Sequence, residues 1–281
     1  MKATTRKIAQ IIEPEPVVEG AGVRLKRSIA TPTLDYVDPF LLLDHFASKD
    51  PADYRAGFPL HPHRGIETVT YLLSGVVRHR DTLGNSGAIN AGDIQWMTAG
   101  RGIMHEEMPQ VRPEGVAGFQ LWVNLPARLK MTNPRYQNIA ANEIPEVSRK
   151  ESARIRVISG TVDGVSGPVT GIAADPIYLD VSVPSRTSFA QPISRGHSAF
   201  AYVFEGEANF AGKIVPNPRL VVLGDGDFVE VTTADSPVRF LLVSGKPLGE
   251  PIARYGPFVM NTKEEIEQTL RELQQGTFAQ T

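Results

Sequence analysis

Residues 61–75 read HPHRGIETVTYLLSG, and this stretch decides the fold. A pair of histidines leads into a run rich in β-branched and aromatic residues, and glycines stand at both ends of that run. A second stretch, GDIQWMTAGRGIMHEEMP at residues 92–109, repeats the pattern with its polar residues last. Short apolar runs bounded by glycines are typical of strands joined by tight turns. The pattern predicts a small antiparallel barrel, a fold that holds ligands in its mouth.

The histidines of these stretches have metal-ligand spacing. Alternate side chains of a β-strand point to the same face, so His61 and His63 lie together. By the same rule His105 and Glu107 share a face, whereas Glu106 points away. If the two strands meet on one inner surface, they present three imidazoles and one carboxylate. That set suits a divalent first-row transition metal and leaves coordination positions open.

Composition excludes several classes of protein. The chain has 281 residues, of which 41% are hydrophobic, enough for two domains with apolar cores. The net charge is −2 and no long basic run is present, so direct nucleic-acid binding is not indicated. The absence of cysteine excludes disulfides, thiolate catalysis and cysteine-ligated zinc. No apolar stretch has the length of a signal peptide or membrane span, so we expect a cytoplasmic protein without membrane contact.

Strand-like runs recur along the chain, often between Gly, Asp-Gly or Pro, as in hairpins. The predicted strands are 67–73, 94–97, 118–125, 154–159, 177–183, 199–204, 220–223, 228–231 and 238–243. The sequence YLLSG at 71–75 is echoed by YVFEG at 202–206, which predicts two copies of one barrel. Paired ligands occur only in the first copy, so we expect the second barrel to lack a metal.

Domain boundaries follow from the repeat. The polar segment 131–145 is the predicted linker. We therefore expect a metal-binding barrel over 1–134 and a second barrel over 135–281. The second half ends in a predicted helix over 262–276, where Thr262 begins a capping box and an apolar stripe follows at helical spacing.

The quoted motifs resemble those of the pirin family, which are bicupins of the cupin superfamily. The resemblance extends to residues 37–41, 119–125 and 256–261, and so covers nearly the whole chain. It implies an all-β fold of two cupin (jelly-roll) barrels facing each other, with a C-terminal helix. It also implies one metal in the N-terminal barrel and none in the C-terminal barrel. By position, the family's metal ligands correspond to His61, His63, His105 and Glu107.

The resemblance implies iron as Fe²⁺, and isolated protein can carry Zn, Ni, Cu, Mn or Co, since such a site binds several of these metals as well as iron. One ligand has an alternative. In many other cupins the carboxylate lies four residues after the second histidine, which is Glu67 here. Parity alone places Glu67 on the face of His61 and His63, although Gly65 can break that register. Otherwise Glu67 is an acceptor that orients an imidazole.

Six further residues receive structural interpretations. Arg64 is expected to pair with a carboxylate at the barrel rim, or else to place a charge near the metal. His45 and His79 have no partner at ligand spacing and are interpreted as structural or surface residues. His197 is assigned to a turn, and Trp96 and Trp122 are assigned to the core rather than to a substrate platform.

Pirin-like proteins are known for quercetin 2,3-dioxygenase activity. The resemblance therefore implies a metal-dependent dioxygenase that cleaves flavonols such as quercetin with O₂, with Glu107 as ligand and candidate base. The alternative is a redox-responsive, metal-binding regulatory protein without turnover, as eukaryotic pirins resemble. A third reading is a cupin enzyme acting on another small molecule. All three use the same ligands, so fold and ligands do not decide among them. We expect a monomer, with a protein partner under the regulatory alternative.

Overall fold

A computed structural model of the chain describes residues 3–149 and 152–279. Strands dominate, with one α-helix and three short 3-10 helices (Pro51–Asp53, Ala127–Leu129 and Ala141–Glu143) among the described residues. In chain order the strands and the helix are β1 (Ile8–Ile12), β2 (Glu15–Glu19), β3 (Val23–Ile29), β4 (Phe40–Ser48), β5 (Phe58–His63), β6 (Ile66–Ser74), β7 (Val76–Asp81), β8 (Ser86–Asn90), β9 (Ile94–Thr98), β10 (Ile103–Pro109), β11 (Val116–Asn124), β12 (Arg135–Ile139), β13 (Glu146–Arg149), β14 (Ala153–Ser159), β15 (Thr161–Val162), β16 (Val165–Ser166), β17 (Ile177–Val183), β18 (Ser188–Pro192), β19 (Ser198–Phe210), β20 (Lys213–Pro216), β21 (Arg219–Leu223), β22 (Phe228–Thr232), β23 (Val238–Gly245), β24 (Ala253–Tyr255), β25 (Phe258–Met260) and α1 (Lys263–Gln274).

The predicted all-β fold is confirmed, and each of the nine predicted strands coincides with an observed one. The segment 131–145, predicted as the linker, contains a strand that was not predicted. Residues 135–139 form β12, which pairs with β9 at the end of a sheet and places Tyr136 opposite Met97. An edge strand keeps one side in water, so its side chains stay mostly polar and its sequence lacks an apolar run.

The contacts divide the chain into two compact units, each built from three segments of the sequence. The first, here called the histidine unit, comprises Pro16–Ile29, Phe40–Ala141 and Leu248–Thr281. The second unit comprises Met1–Glu15, Ala30–Pro39 and Asn142–Pro247. The domain boundary between residues 134 and 135 stays a prediction. By contacts, the N-terminal segment Met1–Glu15 belongs to the second unit and the C-terminal segment Leu248–Thr281 to the histidine unit. Strand β1 pairs with β21 of the second unit, and α1 contacts β24 and β25 of the histidine unit.

The two main sheets of the histidine unit touch through their inner faces, and the strands β24 and β25 form a third, two-stranded sheet. The larger has the strand order β12-β9-β6-β11-β4-β3-β2, and the smaller has the order β5-β10-β7-β8. His63 of the small sheet packs edge-on against Trp122 of the large sheet, with ring centroids 5.2 Å apart. A buried apolar cluster contributes to this interior, formed by Leu41, Ile66, Met97, Ala99, Ile103 and Val259. The two sheets therefore enclose the site between them.

The predicted repeat is visible in the backbone. Gly75 follows β6 with φ +85°, and Gly206 lies in β19 with φ +70°. A Cβ on Gly75 would collide with the carbonyl of Gly115, and one on Gly206 with the carbonyl of Pro237. Both positions combine the left-handed conformation with a close backbone approach, which only glycine tolerates. The two YxxxG sequences thus make the same bend in the two units.

The second unit encloses an apolar interior. Its ten-stranded sheet follows the order β1-β21-β19-β23-β17-β14-β13, with β18, β20 and β22 attached beside this path. Its buried cluster includes Phe189, Phe210, Phe240, Leu179, Leu223 and Leu242. Phe240 contacts Phe189 and Phe210 edge-on, with ring centroids 5.9 and 5.6 Å away. Hydrocarbon packing rather than polar chemistry occupies this interior.

The predicted C-terminal helix is confirmed as α1. The Thr262 hydroxyl accepts a hydrogen bond from the backbone N–H of Glu265, whose carboxylate accepts one from the backbone of Thr262, so the capping box is complete. Ile266 and Thr269 face inward from the helix. No helix in the described ranges is long and apolar enough to cross a membrane.

Candidate metal centre

The two histidine clusters of the sequence meet in the small sheet of the histidine unit. Strands β5 and β10 are antiparallel, and His61 lies directly opposite His105. His63 and His105 are buried, and His61 is half-buried. One ring nitrogen of each of the three histidines lies within 4.8 Å of the others. Pairing of the two strands, as the spacing predicts, thus converges three imidazoles on one point.

The donor atoms of these rings fit a cation. His61 Nδ1 lies 2.9 Å from the carbonyl of Pro59, which fixes its proton there and leaves Nε2 as a lone-pair donor. That Nε2 is only 3.1 Å from Nε2 of His63. Both ring nitrogens of His105 are buried without a hydrogen-bond partner among the described residues. Buried polar atoms are seldom left unpaired, and a cation among the three rings would take one nitrogen of His105.

Burial and neighbouring histidines lower the pKa of two of these rings, His63 and His105. Burial lowers the pKa of His63 well below its ordinary value, and neighbouring His105 and His61 lower it further. Burial likewise lowers the pKa of His105 to about 3, with His61 and His79 adding to the effect. A neutral imidazole has a free lone pair, which is the form that binds a metal. The site is therefore suited to a divalent metal cation.

Glu107 lies on the same strand face as His105, as parity predicts. Ile103, His105 and Glu107 are buried and alternate with more exposed residues along β10. The register between β10 and β5 shifts between His105 and Glu107, so Glu107 lies opposite Phe58. The carboxylate is not part of the three-histidine group, and its Oε1 accepts a hydrogen bond from Thr70 at 2.9 Å. Glu107 lines the same cavity as His61 and His63.

Glu106 faces outward, as the alternation predicts. It forms an ion pair of 2.6 Å with Arg80 on the exposed side of the small sheet. Its carboxylate therefore lies on the opposite side of β10 from the histidines.

Glu67 lies on the large sheet, outside the three-histidine group found among the described residues. Gly65 has φ +79°, and a Cβ there would collide with the carbonyl of Val259. This bend separates β5 from β6, so the parity that would align Glu67 with His63 is lost. Glu67 instead accepts a hydrogen bond of 2.8 Å from the Thr98 hydroxyl. Burial raises its pKa, and the Thr98 hydrogen bond opposes that rise.

A cavity of about 560 Å³ opens beside His61, His63 and Glu107. Its apolar lining includes Phe58 and Trp122, and the latter ring touches His63 edge-on. Trp122 packs against a buried apolar cluster, as assigned, and it also borders the cavity. It is half-buried because one side packs inward while another borders the cavity.

The cavity also has a charged wall that sequence reasoning missed. Arg27 donates to both carboxylate oxygens of Asp44 at 2.8 and 2.7 Å, and to Glu19 at 2.7 Å. Burial works against the charge of Arg27, but Asp44 and Glu19 outweigh it and raise its pKa. Burial raises the pKa of Asp44, and Arg27 opposes that rise. The available signal was a lone aspartate inside the apolar run FLLLDHF at residues 40–46.

Arg64 pairs with a carboxylate, as expected, and that carboxylate is on α1. Its guanidinium donates to Glu272 at 2.6 Å and to the Thr269 hydroxyl at 3.0 Å. The same group lies 4.7 Å from the ring centre of Phe278. The backbone of Arg64 accepts a hydrogen bond from Val259 at 3.1 Å. The residue directly after His63 is therefore held mainly by the C-terminal segment.

The other singled-out residues are structural. Trp96 is buried in the core, as predicted. His197 lies in a turn closed by its backbone bond to Ser194. His45 stacks on Phe119 at 4.7 Å. His79 is buried rather than on the surface: it lies opposite Glu107 on β7 and stacks on Tyr136 at 5.8 Å.

Comparison with known proteins agrees with this geometry. The family model "Pirin" matches residues 22–123, and "Pirin C-terminal cupin domain" matches residues 178–279. A pirin-like protein of Caulobacter vibrioides is 46% identical over 274 residues, which is 97% of this chain and 99% of that protein. A Pseudomonas aeruginosa protein, provisionally named a quercetin 2,3-dioxygenase, is 41% identical over 281 residues, 98% of each chain. The crystal structure of a quercetin 2,3-dioxygenase from Acinetobacter baumannii superposes with a TM-score of 0.89 at 32% identity, covering 98% of this chain and 99% of that one. The chain belongs to the pirin family, whose two cupin domains it contains.

Proposed function

We propose that the chain is a metal-dependent dioxygenase that cleaves flavonols such as quercetin with O₂. Its metal, Fe²⁺ in this proposal, is held by His61, His63, His105 and Glu107. The observation that carries the proposal is the convergence of three imidazoles within 4.8 Å beside a cavity of about 560 Å³. The names of the relatives from P. aeruginosa and A. baumannii support the choice of substrate.

Each wall of the cavity has a task in this proposal. When bound, a divalent metal acts as a Lewis acid that favours the ionised form of the flavonol 3-hydroxyl. Glu107 is the candidate base for that proton, because a carboxylate lies beside the histidines on the same inner face. Phe58 and Trp122 offer aromatic surface to a planar ligand. The overall reaction inserts O₂ into the heterocycle and releases carbon monoxide.

The test is an assay on metal-free protein reconstituted separately with Fe²⁺, Ni²⁺, Cu²⁺, Mn²⁺, Co²⁺ and Zn²⁺. We expect quercetin-dependent O₂ consumption and matching carbon monoxide release with at least one redox-active metal. The His105→Ala variant should lack both, whereas Glu106→Gln should keep them, because Glu106 pairs with Arg80 outside the cavity. Protein that binds each metal stoichiometrically but never consumes O₂ with quercetin would refute the dioxygenase proposal.

A second candidate function is a redox-responsive interaction protein without turnover. One observation favours it: Arg64, next to His63, is bonded to Thr269 and Glu272 of α1. A change of metal charge at His63 thus has a short physical route to a helix on the exterior of the unit. This candidate predicts that hydrogen exchange in α1 differs between Fe²⁺- and Fe³⁺-loaded protein. Equal exchange in the two forms would contradict it.

A further inference from the structure

The Thr70 hydroxyl lies between two polar side chains inside the histidine unit. Its Oγ1 is 2.9 Å from Oε1 of Glu107 and 2.8 Å from the amide oxygen Oε1 of Gln120. Thr70 and Glu107 are both buried, and Gln120 borders the cavity. The contact joins the two sheets, because Thr70 and Gln120 belong to the large sheet and Glu107 to the small one. It is therefore a direct support for the carboxylate.

The number of available protons indicates which group donates in the hydrogen bond between Thr70 and Glu107. A hydroxyl has one proton to donate, and an ionised carboxylate only accepts. Oε1 of Gln120 and Oε1 of Glu107 both lie within reach of that single proton, at 2.8 and 2.9 Å. Turning the Gln120 amide so that its NH₂ group faces Thr70 leaves the proton for Glu107 and gives each of the two bonds one donor and one acceptor.

The backbone holds the side chains of Thr70 and Gln120 next to each other. Thr70 and Gln120 are direct partners across β6 and β11, which are neighbouring strands inside the large sheet. Directly opposite residues keep their side chains adjacent without further adjustment. Burial at Thr70 also leaves no bulk water to compete for the hydroxyl. Oε1 of Glu107 is consequently fixed from the opposing sheet, while Oε2 stays available for another partner.

We propose that Thr70 and Gln120 are positioning residues that hold Glu107 with one oxygen fixed and the other presented to the metal. This rests on the proposed function only in assuming a metal at the three histidines. Residues that orient a metal ligand commonly change metal affinity by about ten- to a hundredfold when removed. Thr70→Val keeps the side-chain shape and removes only the hydroxyl, so it isolates this contribution.

The chain offers a matched control. Thr98 donates an equivalent buried hydrogen bond of 2.8 Å to Glu67 on the same sheet. Thr98→Val therefore removes the same kind of bond from a carboxylate that lies outside the histidine group. Thr70→Ser keeps the hydroxyl and should behave like the parent protein.

The experiment measures Co²⁺ affinity by chelator competition and the visible absorption of the Co²⁺-loaded protein, which reports its ligands without any turnover. We expect Thr70→Val to weaken Co²⁺ binding by about ten- to a hundredfold and to change the absorption bands. Thr98→Val and Thr70→Ser should change neither. Because quercetin is not used, failure of the dioxygenase assay leaves this result intact. If Thr70→Val does not fold, Gln120→Leu replaces it, with the same change of bands expected.

Two outcomes would overturn the proposal. One is parent-like Co²⁺ affinity and absorption in a folded Thr70→Val or Gln120→Leu protein. The other is an equal loss in Thr98→Val, which would assign the carboxylate role to Glu67.

Discussion

Replacing Arg64 by Met should destabilise the protein far more than the same change at Arg80. Both arginines form an ion pair with a glutamate at 2.6 Å, so distance alone predicts equal effects. Their surroundings differ: the Arg64 side chain is 4% exposed and the Arg80 side chain is 70% exposed. Exposed pairs contribute about 0–1 kcal/mol, because water and salt screen them. The comparison therefore tests whether burial decides the effect.

The expected cost at Arg64 follows from its partners. Removing one member of a buried pair typically costs about 3–5 kcal/mol, since the other charge stays desolvated. Here Glu272 keeps 24% side-chain exposure and a hydrogen bond of 2.9 Å from Gln268, so its charge is not stranded. Thr269 likewise keeps its bond to the backbone of Glu265. We therefore expect a value near the lower end of that range, about 3 kcal/mol.

The assay is urea unfolding of metal-free protein at neutral pH, which separates this effect from metal binding. Arg64→Met should lower the free energy of unfolding by at least about 2 kcal/mol more than Arg80→Met does. Its Co²⁺ affinity should also fall, because Arg64 follows His63 directly in the chain. Equal costs for the two variants would refute the reasoning from burial, and unchanged Co²⁺ affinity would refute the link to His63.

Three further predictions concern single residues. His105→Ala should abolish metal binding yet leave a protein that melts cooperatively, because strand pairing and apolar packing stabilise the fold; loss of cooperative melting would make the metal structural. In metal titrations, Glu107→Gln should lower metal affinity, whereas Glu106→Gln should leave it unchanged. In unfolding experiments, Glu106→Gln should change stability by no more than about 0.5 kcal/mol. The stability of metal-free protein should fall between pH 7 and pH 5. In the unfolded state histidine takes up a proton at about pH 6.5. In the folded state burial and nearby Lys26 lower the pKa of His45 to about 4, so His45 stays neutral. The unfolded state then binds more protons, so His45→Phe should reduce the loss by about 2 kcal/mol; an identical pH dependence in both proteins would contradict this.

Local regularities explain what could be predicted. The alternation of a strand is enough to place His105 and Glu107 on one face and Glu106 on the other, because side-chain direction repeats every two residues. The capping box at Thr262 was readable for the same reason, since both partners lie within one turn. The family motifs added the expectation of two cupin barrels.

Alternation fails where the backbone bends. Gly65 adopts a left-handed conformation, so Glu67 leaves the face of His63 and joins Thr98 on another sheet. Strand β12 was likewise not predicted, because its polar edge sequence lacks an apolar run. In both cases the outcome depends on which strands pair with each other, and a local sequence pattern does not specify that pairing.

By itself, the sequence determined the strand character of the chain and the strand faces of the candidate ligands, because these depend on neighbours a few residues apart. Only the tertiary structure decided the rest. It placed Arg64 against Glu272, 208 residues later in the chain. It also placed the Arg27–Asp44 pair at the cavity wall and Thr70 against Glu107 from the opposing sheet. Such contacts arise from closure of sheets on each other, where the gain from burying polar groups depends on finding partners in space.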